Sequence, residues 1–221
     1  MDETRKGYDS LMKRISKTPL RPRYRAVHMS HDGCWAGSGT LILGPDQKTH
    51  SVVITAGHVF SKSKPARHIG YRMLQLPEEK DYPITSASGG ILGGNRNEID
   101  VAVCIPGTYR KIEGFSDCVA GSWSALGRQF VANKKVYPDA ISLLTGEIIK
   151  VIGSIHETDR EDYFVLLYHS YPGESGTGFL KGEDELYVLA AGIDVNKELR
   201  SVLDIPSKFW RVTVASAIKI G

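Results

Sequence analysis

Punctuation constrains this chain more than any other feature. Short apolar stretches recur along most of its 221 residues, and turn signals separate them. Ala26–Met29, Gly39–Leu43 and Ser51–Thr55 come first, divided by Asp32-Gly33 and Gly44-Pro45-Asp46. Tyr71–Leu76 and Val101–Ile105 continue the series, and Pro106-Gly107 ends it. Stretches this short, rich in β-branched residues and bounded by Gly, Pro and Asp, predict strands joined by tight turns. A second series runs through Gln129–Ala132, Ala140–Leu144, Glu147–Ile152, Tyr163–Leu167, Phe179–Leu180, Leu186–Ala190 and Val202–Ile205. Thr145-Gly146 and Lys181-Gly182-Glu183-Asp184 suit hairpins within it. There is no repeat of solenoid or propeller period. Two tandem sets of about six short strands predict an all-β fold of two six-stranded antiparallel barrels.

The flanks read differently. Tyr8, Leu11, Met12 and Ile15 recur at helical spacing among charges, which predicts a short amphipathic helix packed on the body of the protein. Thr18-Pro19-Leu20-Arg21-Pro22-Arg23 breaks any helix and reads as an extended linker. Residues 1–24 thus form a basic arm, 25–110 a first barrel, 111–125 a crossover, and 126–206 a second barrel. Residues 207–221 predict a terminal helix: Ser207 offers a cap, and Phe209, Trp210, Val214 and Ile218 share a face, although Val212, Thr213 and Val214 weaken the propensity. The Gly- and polar-rich residues 86–98 read as an exposed loop.

The net charge of +3 is too small to argue for nucleic acid, but its placement is uneven. The first thirty residues hold eight Lys and Arg against three acids, which leaves the remainder about −2. Contact of the arm with RNA or anionic membrane is the partner this asymmetry would allow. Cys34, Cys104 and Cys118 cannot all pair and lack metal-type spacing, so they read as thiols in a reducing compartment, and a cytoplasmic location is expected. No apolar run is long enough to span a bilayer, and no secretory signal is visible.

One stretch carries chemistry: Tyr171-Pro172-Gly173-Glu174-Ser175-Gly176-Thr177-Gly178 sets a serine between glycines, where the chain must turn tightly and present amide groups. Serine is a poor nucleophile near neutral pH without a base, and that base needs an acid to hold its tautomer. Of seven histidines, His58 follows an apolar strand in Val52-Val53-Ile54-Thr55-Ala56-Gly57-His58, a rigid place from which to aim an imidazole. Asp100 stands immediately before the apolar Val101-Ala102-Val103, where a buried carboxylate requires donors. Each alone is equally an ordinary structural residue; the order His, Asp, Ser is the informative feature.

Thr55-Ala56-Gly57-His58, Asp100-Val101-Ala102 and Gly173-Glu174-Ser175-Gly176, with Gly37-Ser38-Gly39-Thr40-Leu41-Ile42 as an early strand, resemble the signatures of the chymotrypsin-like serine proteases. The resemblance runs from about residue 25 to the end. The absence of a cysteine after His58 and the run Ser175-Gly176-Thr177-Gly178-Phe179 are most like the disulfide-free proteases of positive-strand RNA viruses, although some bacterial relatives also lack disulfides. An α/β-hydrolase is disfavoured: its elbow wants glycine where Thr177 stands, and its order is Ser, Asp, His.

The resemblance implies two barrels of chymotrypsin type and a serine endopeptidase without metal or cofactor, acting on a polypeptide that could be its own polyprotein. It implies Ser175 as nucleophile, His58 as general base and then acid, Asp100 as the group that orients it, and the amides of Gly173 and Ser175 as oxyanion hole. It places the floor of the primary specificity pocket near His169 and Ser170, with a wall from Ala190, Ala191 and Gly192. His169 there would favour an acidic side chain if it faces the pocket and a neutral one if it points away. Glu174 takes the place of an acid that pairs with a freed N-terminus in activated relatives, so its partner here is open. A protease-like module used for binding is the competing reading.

Overall fold

The computed structural model describes residues 21–32, 34–60, 69–74, 80–89, 100–107, 130–157, 163–171 and 173–220. The expected N-terminal helix, the first half of the linker (18–20) and the whole of the crossover (111–125) lie outside the described residues, as does Cys118. The first strand series forms β1 (Tyr24–His31), β2 (Cys34–Leu43), β3 (His50–Thr55), β4 (Ile69–Met73), β5 (Tyr82–Gly89) and β6 (Ala102–Pro106). They close into a barrel in the order β1-β2-β3-β6-β5-β4, every neighbouring pair antiparallel. Closure leaves this sheet no open edge. Its interior is filled by Val27, Met29, Leu41, Val53, Tyr71, Ile84 and Cys104, all buried. Burial also pushes the Cys104 thiol far above its ordinary pKa, which makes it an inert core residue.

The second series forms β7 (Phe130–Lys134), β8 (Ala140–Ser142), β9 (Ile148–Ile149), β10 (Val151–Glu157), β11 (Tyr163–Leu166), β12 (Gly178–Lys181), β13 (Glu185–Asp194) and β14 (Arg211–Lys219). Here the outcome differs from six strands: the ladder is an eight-stranded antiparallel sheet ordered β7-β10-β11-β14-β13-β12-β8-β9. It nevertheless curls round on itself, because only Lys150 separates β9 from β10, near the opposite end of the order. Leu143, Leu180, Leu186 and Val188 from this half join the core of the first barrel, so the two halves pack as one body.

Three expectations are corrected. Residues 207–221 are not a helix: Arg211–Lys219 is the strand β14, hydrogen-bonded on both sides by β11 and β13. The Val212-Thr213-Val214 run, stiff at χ1, fits the pleat, and two ladder partners outweigh any helical face. Conversely, Val202–Ile205 is not a strand. Lys197–Leu203 forms α1, with Asn196 Oδ1 accepting from the Leu199 amide at 2.7 Å and Asp204 closing it in the left-handed conformation. Leu199 and Leu203, one turn apart, bury the helix against the second half, and Arg200 donates to the carbonyls of Ile205, Pro206 and Phe209 beyond its end. Finally, Ser86–Gly89 is not loop. It pairs with Ala102–Ile105 through main-chain bonds that its polar composition does not advertise.

Candidate active site

The β3–β6 register sets the first part of the site. Thr55 faces Ala102 in an antiparallel ladder, so the residues just after β3 must lie beside those just before β6. His58 sits in a short 3₁₀ turn, Gly57–Phe60, and Asp100 is two residues before Ala102. Asp100 is fully buried and accepts twice from the same residue: from the His58 amide at 2.8 Å and from the His58 ring at Nδ1, 2.6 Å. A carboxylate can only accept, so Nδ1 is the donor, and in the neutral ring the lone pair then lies on Nε2. The imidazole remains about a quarter exposed while its acid is sealed.

The second part is a main-chain turn. Gly173 and Gly176 both adopt positive φ, 94° and 93°, which L side chains rarely take. At Gly176 space is equally decisive, since a Cβ would lie 2.0 Å from the Ser38 carbonyl oxygen and 2.3 Å from Thr55 Oγ1. The turn is tied to β13 by the Gly176 amide, which donates to the Leu189 carbonyl at 2.8 Å, and by the Leu189 amide, which donates to the Thr177 carbonyl at 2.9 Å. Glu174 N–H donates to the Tyr171 carbonyl and Thr177 N–H to the Glu174 carbonyl. Among the described residues, the amides of Gly173 and Ser175 donate to no protein acceptor, unlike the others around them.

Ser38 joins the two parts. Its amide donates to the Ser175 carbonyl at 2.8 Å, its hydroxyl to the Gly173 carbonyl at 2.9 Å, and its own carbonyl accepts from Thr55 Oγ1 at 2.6 Å. Thr55 is three residues before His58. Ser38 and Thr55 are both buried, and each carries a polar group that the sequence reading assigned no role. The structure therefore pairs His58 with Asp100 directly and brings the Ser175 turn against the strand that leads to His58. Among the described residues the Ser175 hydroxyl and the His58 ring share no hydrogen bond.

Glu174 acquires partners. It is completely buried, with Oε1 accepting from the Tyr168 hydroxyl at 2.7 Å and Oε2 from the Tyr171 amide at 2.5 Å. Tyr168 is fixed in turn by Thr213 Oγ1, which donates to its carbonyl at 2.7 Å. Tyr168 carries no motif; its only sequence signal is an aromatic six residues before an acid, which reads as core.

The residues expected to line a pocket fall on both sides of this turn in the sequence. His169 stacks on Tyr171, centroids 5.0 Å apart, and meets the exposed Trp210 edge-on at 4.5 Å. Ser170 is buried. Ala190 is the extra residue of a β-bulge on β13 and sits in the core, whereas Ala191 and Gly192 are half-buried. β12 ends opposite Val188, so Ala190–Asp194 has no strand partner on that side among the described residues. An open sheet edge of this kind can take an extended peptide as an added strand. Among the described residues no cluster of His, Cys, Asp and Glu could hold a metal ion, and no helix is long and apolar enough to cross a membrane.

No protein-family model matches the sequence, and no curated protein does. Among solved structures, the chain is similar to a Glu endopeptidase in complex with MPD, at 15% identity and TM-score 0.49, covering 94% of this chain and 89% of that one. It is also similar to neuropsin, a serine protease expressed in the limbic system of mouse brain, at 14% identity and TM-score 0.45, covering 88% of each chain.

Proposed function

We propose that this chain is a serine endopeptidase. The observation that supports the reading best is the convergence on one strand end: Asp100 seals the Nδ1 side of His58, and Ser38 ties the Ser175 turn to Thr55. In this reading Ser175 Oγ attacks the scissile carbonyl carbon while His58 Nε2 takes its proton. The resulting imidazolium is stabilised by Asp100, and the carbonyl oxygen, now negative, is held by the amides of Gly173 and Ser175. Donors preset for that charge are worth roughly 3–4 kcal/mol each. His58 then gives its proton to the leaving amine, which departs and leaves an acyl-enzyme. Water, deprotonated by the same imidazole, attacks the ester, and Ser175 recovers its proton as the new carboxyl group leaves.

We further infer that the natural substrate is a viral polyprotein. This rests on the resemblance carried by Ser175–Phe179 and on the missing cysteine after His58. A fluorophosphonate probe tests the chemistry. Labelling at Ser175 is expected, abolished in Ser175→Ala and sharply reduced in His58→Ala. A folded protein that takes no label would turn the reading towards a protease-like binding module.

A further inference from the structure

We propose that Arg211 selects substrates with an acidic side chain, Glu or Asp, at the residue supplying the scissile carbonyl; this inference rests on the peptidase reading above. Arg211 opens β14, in register opposite the exposed Asp194 of β13. Its guanidinium folds back across Gly192. A Cβ on Gly192 would meet Arg211 Nε at 2.6 Å, Arg211 Cζ at 3.1 Å and Ser170 Oγ at 2.7 Å. A charged fork and a hydroxyl therefore crowd the same small space, which only a glycine leaves open.

The guanidinium has five donors and no way to lose its charge. Among the described residues it makes one hydrogen bond, from Nη2 to the Gly192 carbonyl at 3.3 Å, and no ion pair. Its Nε is buried without an acceptor. Asp194, the nearest acid by register, does not reach it. A half-buried cation with an unsatisfied N–H is costly to keep, and a carboxylate taking Nε and Nη together would satisfy it bidentately. The position suits a substrate side chain. Ser170 leads into the Tyr171–Glu174 turn that doubles back to Ser175, and Gly192 lies on the open edge of β13 that an extended peptide would join. The ring of His169, held between Tyr171 and Trp210, stands next in sequence to Ser170.

The test is a set of fluorogenic hexapeptides that differ only at that residue, Glu, Gln, Leu or Lys, cleaved by the full chain. Glu is expected to exceed Gln by roughly tenfold or more in kcat/KM, the scale of a charge-assisted hydrogen bond. Arg211→Ala and Arg211→Gln should each bring that ratio to within about twofold while fluorophosphonate labelling of Ser175 persists; labelling also reports that each variant is folded. Equal use of Glu and Gln by the unaltered chain, or a Glu preference that survives both substitutions, overturns the proposal. Should the unaltered chain take no label, the peptidase reading fails by itself. Calorimetric binding of the blocked Glu and Gln peptides then decides the pocket: tighter Glu binding lost in Arg211→Gln supports it, and equal affinity overturns it.

Discussion

His58 and Asp100 are side chains whose positions follow from strand pairing, whereas around Ser175 the main chain supplies the groups and buried side chains hold it. In the first barrel, the antiparallel match of Thr55 with Ala102 delivers the histidine and its acid to one place, and two hydrogen bonds complete the pair. In the second half, two positive-φ glycines shape the turn, and it is held by Ser38 and by the bond of its own Glu174 to Tyr168. The contrast teaches where substitutions should be felt. Errors in the first half should strike the chemistry with the fold intact, and errors in the second should strike fold and chemistry together.

Asp100→Asn is the largest expected effect and the sharpest test of that contrast. The amide keeps the shape but can present N–H to Nδ1, which favours the tautomer with no lone pair on Nε2. A fall in kcat of about 10⁴ is expected, the scale of a carboxylate-to-amide change in a Ser-His-Asp triad. Thermal stability should change far less. A variant that unfolded instead would break the comparison, since the pair would then be a structural support. His58→Ala combined with Asp100→Asn should cost little beyond His58→Ala alone, because the two act as a unit.

Gly176→Ala comes next and should look different. The new Cβ meets the Ser38 carbonyl oxygen and Thr55 Oγ1 far inside contact distance, at a φ that alanine resists. A loss of about 3 kcal/mol or more is expected in denaturant unfolding, together with loss of activity. Near-unchanged stability would mean that the turn is soft and the main chain is not what positions Ser175.

Tyr168→Phe is a finer probe of the same half. It removes the hydroxyl from Glu174 Oε1 and keeps the ring, whose edge-on packing against Phe179 is preserved. Leaving a buried carboxylate one donor short costs about 1.5–3 kcal/mol. Part of that should appear as a lower kcat with KM nearly unchanged, because Glu174 lies between the two proposed oxyanion donors. A KM effect alone would make Tyr168 a wall of the binding site instead of a positioning residue.

The two halves also differ in how much of them the sequence reveals. His58 and Asp100 were legible because each ends or begins an apolar strand, and strand pairing carries sequence proximity into spatial proximity. The Gly-x-Ser-Gly turn was legible because glycine is one of few residues that can occupy it. The braces were not. Ser38, Thr55 and Tyr168 act through contacts set by tertiary closure, and buried hydroxyls on strands look like any other Ser, Thr or Tyr. The exchange of helix and strand between 197 and 219 has the same origin. Leu199 and Leu203 have the spacing of a short helix capped by Asn196, but Val212–Val214 is settled as strand only by the partners β11 and β13 supply.

The smallest effect should separate the halves by pH. His28 on β1 faces Arg72 of β4, and Arg72 is held by Asp81 through bonds of 3.0 and 3.3 Å. Burial first, then the Arg72 charge, lower the His28 pKa to about 4, with Asp81 opposing. The folded protein therefore keeps His28 neutral where the unfolded chain, titrating near 6.5, would take a proton. Between those values the unfolded state binds more protons, so this contribution is complete above about pH 6.5 and is lost as the pH falls towards 4. The limiting slope is about 1.4 kcal/mol per pH unit, and residual exposure of the ring reduces it, so about 1 kcal/mol is expected between pH 7 and 5. Urea unfolding at both values should show that loss in the unaltered chain and a smaller one in His28→Gln. Hydrogen exchange should place the acid-induced opening at β1 and β4 before β13 and β14, because His28 and its neighbours belong to the first barrel alone. Equal acid loss in both proteins would show that His28 is not the group responsible.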